Sequence, residues 1–210
     1  MPSRSARSLL YIGVLGAVMA VPSVQAQSLV RSGSFEIGPF VGASYGLDET
    51  RVMGGGNVTF AITKRILPYF EYSYFPEIGR NTVCGNLQDG SPINCHFSIP
   101  ISDFHGGVHI RFPIKEKPVV PYAVFGVGGL HHSEHTVNAT YTVFGQQVSQ
   151  PLTVPSGTDK AINFGGGIRY YISQSFGVRV EAKAYKPYGG QTGFTDIFGK
   201  AEFGFFFQLR

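Results

Sequence analysis

Residues 161–185 read AINFGGGIRYYISQSFGVRVEAKAY, and the alternation within them decides the fold. Ile162, Phe164, Ile168, Tyr170 and Ile172 share one parity; Asn163, Gly165, Gly167, Arg169 and Tyr171 share the other. Beyond Ser173-Gln174-Ser175, the residues Val178, Val180, Ala182 and Ala184 alternate with Arg179, Glu181 and Lys183. Successive side chains of a strand point to opposite faces, so period-two alternation on both sides of a tight turn predicts a β-hairpin. One face is apolar and uncharged, and the other mixes glycine with both signs of charge. Which face meets water separates a membrane barrel from a soluble one.

The chain before this hairpin begins with an export pattern. Arg4 and Arg7 precede the apolar run Leu9–Val21, and Val24-Gln25-Ala26 supplies a small-residue cleavage site. That is the order of a secretory signal peptide, and the run is too short to cross a bilayer as a helix. Residues 1–26 are expected to be cleaved, leaving 27–210 as one domain. The remainder carries 15 basic and 13 acidic side chains, a balance that gives no footprint for nucleic acid. Charged residues are 14% of the chain, against about 25% in soluble domains, while glycine is abundant at 28 residues. Low charge without long apolar runs suits a transmembrane β-barrel, whose apolar residues are interleaved.

The same alternation recurs along the chain. Strands are expected over residues 34–45, 57–63, 67–75, 101–112, 119–130, 161–172, 176–185 and 195–210. In the fifth, Tyr122, Gly126 and Gly128 are assigned to the polar side and Phe125 and Val127 to the apolar side. Short connections alternate with longer ones, chiefly 76–99 and 131–160, the second with β-like halves around Phe144-Gly145 that suit a projecting hairpin. An even number of antiparallel strands with tight turns at one end and long loops at the other is the layout of an outer-membrane barrel. Closure removes the unpaired edges that lipid cannot hydrate. The expected fold is therefore all-β, an eight-stranded antiparallel up-and-down transmembrane β-barrel.

Parity alone does not say which face is outside, because a soluble lipocalin-type barrel lines an apolar ligand cavity with its apolar face. Compensating charge favours the inverted arrangement: Glu36, Glu71, Asp103, Glu181 and Glu202 against Arg111, Arg169, Arg179 and Lys200, with His105 beside them. These ten residues are the expected lumen network. Glycine on the polar face suits the crowded interior of a small barrel, and the strands lack the Lys and Glu that a wet exterior displays.

With these residues in place the chain resembles the outer-membrane β-barrel domain family, which includes OmpA-like transmembrane domains. The resemblance is carried by GGGIRYYISQSFGVRVEAKAY, by VPYAVFGVGG, by the signal peptide and by the aromatic last strand, and spans residues 34–210. It implies architecture rather than activity. With no Trp in the chain, Tyr45, Tyr74, Tyr170, Tyr185 and Tyr188 are left to form the interfacial girdles.

Chemistry is harder to find. His105 and His109 share a face but stand about 13 Å apart along a strand, too far to share a metal. His131, His132 and His135 form a rim cluster without an acidic or cysteine set, so no metal and no cofactor is expected. The segment Gln174–Arg179 is also similar to lipid A deacylases, but Ala182 and Ala184 stand where that family places its catalytic His and Ser, so the chain is not expected to be an enzyme. Cys84 and Cys95, in an exported polar stretch, are expected to form one loop disulfide. The reading is a monomeric, non-enzymatic barrel with a plugged or narrow polar lumen, partnered by outer-membrane lipid. Its long loops, with Tyr141, Val143 and Phe144, would meet an extracellular macromolecule. A secreted barrel binding a small apolar ligand and a lipid-modifying enzyme are the alternatives.

Overall fold

The computed structural model describes residues 29–45, 50–86, 92–115, 117–143, 146–189 and 197–209. The expected signal peptide and Phe144 lie outside them. Ten strands form: β1 (Phe35–Tyr45), β2 (Val52–Phe60), β3 (Ile66–Asn86), β4 (Pro92–Arg111), β5 (Val119–His132), β6 (His135–Val143), β7 (Gln146–Val154), β8 (Gly157–Tyr171), β9 (Phe176–Tyr188) and β10 (Phe198–Leu209). Eight of them, β1–β5 and β8–β10, close into an antiparallel barrel. Each pairs with its neighbour in sequence, except that β5 pairs with β8, and β10 returns to β1. The last strand is in register with the first over its length, from Phe35 opposite Leu209 to Tyr45 opposite Gly199.

Alternation sets the two surfaces. Along β10, the residues Ala201, Phe203, Phe205, Phe207 and Leu209 face outward, and Lys200, Glu202, Phe206 and Gln208 are buried. Along β5, Tyr122 is buried while Phe125 and Val127 are exposed, the latter at 64%. The apolar exterior continues round the ring through Ile37, Val58, Phe70, Ile168 and Val180. Side chains filling the centre need room, and inward glycines make it: a Cβ on Gly167 would stand 2.6 Å from the Tyr122 hydroxyl.

Three expectations are corrected. Strand β2 spans Val52–Phe60 rather than 57–63, because Ala61–Arg65 make the turn. The connection 76–99 is mostly strand, since β3 and β4 run on as a paired hairpin to Asn86 and Pro92. Tyr185 is not a girdle residue: it shares parity with Arg179, Glu181 and Lys183 and is fully buried. Tyr45, Tyr74 and Tyr188 do lie on the outside. Strands β6 and β7 form the projecting hairpin, which touches the β4 extension where His96 meets Thr140.

Candidate functional site

The interior is a stack of polar layers between two apolar seals. Near the short-turn end, Glu36 of β1 is held from three directions. Arg111 Nη1 donates to Glu36 Oε1 at 3.0 Å and to the Tyr171 hydroxyl at 2.9 Å. Thr59 Oγ1 donates to Glu36 Oε2 at 3.3 Å, and Arg169 Nε pairs with the same oxygen at 3.3 Å. Arg169 also lies over the Tyr122 ring, 4.3 Å from its centre, and donates to His109 Nδ1 at 2.8 Å.

Two lysines organise the middle. Lys183 Nζ lies 2.5 Å from Glu71, 2.6 Å from Glu181 and 3.3 Å from Glu202. Lys200 Nζ lies 3.0 Å from Glu71, 2.8 Å from Asp103 and 3.0 Å from Glu202, and donates to Ser73 Oγ at 2.9 Å. Arg179 stands 3.8 Å from both Glu71 and Glu202. Tyr122 donates to Glu181 at 2.6 Å, His105 hydrogen-bonds Asp103, and the His109 ring stacks on Tyr69 with centres 4.4 Å apart. Burying so many charges is tolerable because each has an opposite charge within 4 Å, although some, both Glu202 oxygens among them, make no hydrogen bond. Five carboxylates (Glu36, Glu71, Asp103, Glu181, Glu202) face five cations (Arg111, Arg169, Arg179, Lys183, Lys200), all buried.

Carboxylate oxygens of Glu71, Glu181 and Glu202 lie within 4.8 Å of one another, close enough to hold a metal ion. The Lys183 ammonium already contacts all three, so the chain supplies the positive charge that a metal would bring. Acid–base chemistry is equally poorly served, because the network is enclosed. Phe40, Met53, Phe75, Ile101, Leu130 and Phe198 form an apolar cluster on the long-hairpin side. Leu29 and Val30 fold beneath the barrel against Val120, Tyr171 and Phe206 on the other. The chain entering β1 is fixed there by the Gly33 amide donating to the Ala61 carbonyl at 2.6 Å.

All ten residues expected in the lumen are buried in this interior. Lys183, which pairs with three carboxylates, is absent from the ten expected residues, as are Tyr122, His109 and Tyr69. Parity would have found Lys183, which alternates with Ala182 and Ala184. Nothing in the sequence marks it as the hub. The backbone pairs Cys95 with Thr82 and leaves Cys84 at a register shift between Val83 and Gly85. The side chains of both cysteines, and of Tyr141 and Val143, lie outside what is described. Ala182 and Ala184 are on the outward face.

No family model matches the sequence, and no curated protein matches it. Among solved structures the chain is similar to Neisserial surface protein A, with a TM-score of 0.55 at 11% identity over 84% of this chain and 97% of that one. The attachment invasion locus protein Ail of Yersinia pestis, in complex with the heparin analogue sucrose octasulfate, gives 0.49 at 14% identity over 85% and 100%. The N-terminal β-barrel domain of Pseudomonas aeruginosa OprF gives 0.46 at 18% identity over 85% and 98%. At such identities the likeness is one of fold, and the fold of this chain is that of the eight-stranded outer-membrane β-barrels.

Proposed function

We propose that the chain is a bacterial outer-membrane barrel, exported by cleavage after Ala26, with a sealed polar interior and a structural and surface-interaction role rather than an enzymatic one. The observation that carries this reading is the inversion of the two surfaces. Large apolar side chains cover the outside of the barrel, and among the described residues eleven charged ones, Asp159 included, are buried inside. A water-soluble barrel with a lipophilic cavity would need the opposite arrangement. Eight strands leave a centre that side chains can fill, and here ion pairs and two apolar clusters occupy it, so bulk solute flow is not its task. Surface recognition then belongs to the long hairpins, β3–β4 and β6–β7, including Tyr141, Val143 and Phe144.

Membrane fractionation with electrophoresis before and after boiling tests the location. A folded membrane barrel stays in the membrane pellet and migrates anomalously until heated; complete recovery in the soluble periplasm would overturn the proposal. Deleting residues 80–95 and 136–153 tests the hairpins, since loss of attachment to other surfaces with an intact heat-shifted band is the expected result.

A further inference from the structure

Above the barrel the strands continue into an outlying sheet. The β3–β4 hairpin runs on to Asn86 and Pro92, and β6 joins it where Thr140 pairs with His96. Strand β7 then pairs with β6 over nine positions, from Val154 opposite His135 to Gln146 opposite Val143. The order across this sheet is β3-β4-β6-β7. Its two edges differ in sequence. Beyond Phe75 the β3 edge carries Pro76, Glu77 and Arg80, and it breaks register between Phe75 and Ile78 and again between Val83 and Gly85. Charge, proline and bulges are the usual means by which an edge is kept from pairing. The β7 edge has little of this. Residues 136–158 contain no Asp, Glu, Lys or Arg, and Pro151 is the one interruption within β7. Among the described strands β7 pairs with β6 alone.

The register identifies the backbone groups left over. A two-residue connection joins Val143 to Gln146, and a hairpin of that length closes on a hydrogen-bonded pair. Bonded pairs recur at every second residue, so Gln146, Val148 and Gln150 bond to β6. The backbones of Gln147 and Ser149 point to the open side, as does that of Pro151, which has no N–H to offer. The stretch Gln146–Gln150, QQVSQ, is self-complementary when a second copy is laid antiparallel with Val148 against Val148. Gln147 of each copy then stands opposite Ser149 of the other, and these two bonded pairs exchange four hydrogen bonds. Pro151 ends the match on both sides. Gln146, Ser149 and Gln150 are exposed and uncharged, so no like charges meet across the junction.

We infer that β7 is a homotypic contact, pairing edge to edge with β7 of a second copy that faces it from an apposed membrane. The inference rests on the outer-membrane reading above and names the partner of one long hairpin. Opposed orientation follows from strand direction. Strand β4 runs unbroken from the barrel wall at Arg111 to Pro92, and the β6–β7 hairpin lies beside its outer part. Copies side by side in one membrane are related by rotation about the membrane normal, which leaves strands that run along the normal pointing the same way. A copy on a facing surface presents its β7 antiparallel, as the self-complementary register requires. Four hydrogen bonds make a weak contact singly, and a strong one when many copies on two surfaces engage together.

The test uses the full mature barrel in phosphatidylcholine vesicles, one population carrying a donor dye and the other an acceptor, with clustering read by energy transfer. Each variant is first required to show the heat-shifted band, so failure of the membrane reading is seen separately. Wild-type vesicles should cluster with one another and not with protein-free vesicles. Ser149→Pro removes an outward amide without touching the bonds to β6, and should lower clustering by about tenfold or more. Ser149→Thr keeps the amide and should cluster as wild type does. Val148→Cys, combined with Cys84→Ser and Cys95→Ser, should give a disulfide-linked dimer under mild oxidation of clustered vesicles. A non-hydrogen-bonded antiparallel pair holds its Cα atoms about 4.5 Å apart, within reach of that bond. Undiminished clustering by Ser149→Pro, clustering with protein-free vesicles, or a Val148→Cys dimer formed equally in vesicles diluted past clustering would overturn the assignment. Clustering lost on deletion of residues 136–153 but kept in Ser149→Pro would refute the edge contact while leaving recognition by the hairpin intact.

Discussion

Lys183 reaches Glu71 across the full width of the barrel, with Nζ 2.5 Å from Oε1. The residues belong to β9 and β3, which stand opposite each other in the ring of eight strands. No sheet hydrogen bond links those strands, so the ion pair acts as a cross-brace. Replacing Lys183 with Met leaves Glu71, Glu181 and Glu202 crowded together with only Lys200 and Arg179 to compensate. The expected cost is about 3–5 kcal/mol, read by urea unfolding in lipid bilayers. Adding Glu71→Gln should recover part of it; a double variant no more stable than the single one would contradict the brace.

The exterior makes a separate prediction. Val180 lies on the outward face of β9 at 56% exposure. Val180→Arg should destabilise the bilayer-inserted barrel by about 2–4 kcal/mol, as a cation at the midplane does. Ser175→Arg, in the short turn between β8 and β9, should change stability little. Similar costs at both sites would place Val180 away from hydrocarbon.

The seal below the barrel can be tested by a single truncation. Leu29 is fully buried against Val120, Tyr171 and Phe206. Leu29→Ala should cost about 2–5 kcal/mol, an effect that a frayed terminus would not show. Planar-bilayer conductance should remain at background in this variant, because the Arg111–Glu36 layer still fills the bore above it. A porin-like step in wild-type protein would refute the sealed interior.

For the cysteines, one disulfide between Cys84 and Cys95 remains the proposal. Thiol alkylation of unreduced, unfolded protein should add no label, and alkylation after reduction should add two. A short closed loop of this kind stabilises by about 2–3 kcal/mol in the chain-entropy treatment, so reduction should lower the resistance of the β3–β4 hairpin to proteolysis more than that of the barrel.

Much of this was legible from residue order, for a local reason. Side-chain direction along a strand has period two, so Arg169, Arg179, Glu181 and Glu202 could be set on one face and Ile168, Val180 and Phe203 on the other without knowing any partner. Tyr185 shows how far that rule extends. Its ring suggests an interfacial anchor, but its parity with Lys183 sends it inward, where it packs on Phe198 with ring centres 5.1 Å apart. Composition misled there, and periodicity was the better guide.

The sequence by itself determined an all-β chain with two chemically distinct faces and a supply of matched charges, because alternation and composition are properties of neighbouring residues. Only the tertiary structure decided which charges meet. Closure of β10 on β1 and the stagger of the strands bring Lys183 to Glu71, Lys200 to Asp103 and Arg111 to Glu36, pairs separated by up to 112 residues in the chain. Partners across a lumen or across a strand boundary depend on register, and register is set by the whole ring together.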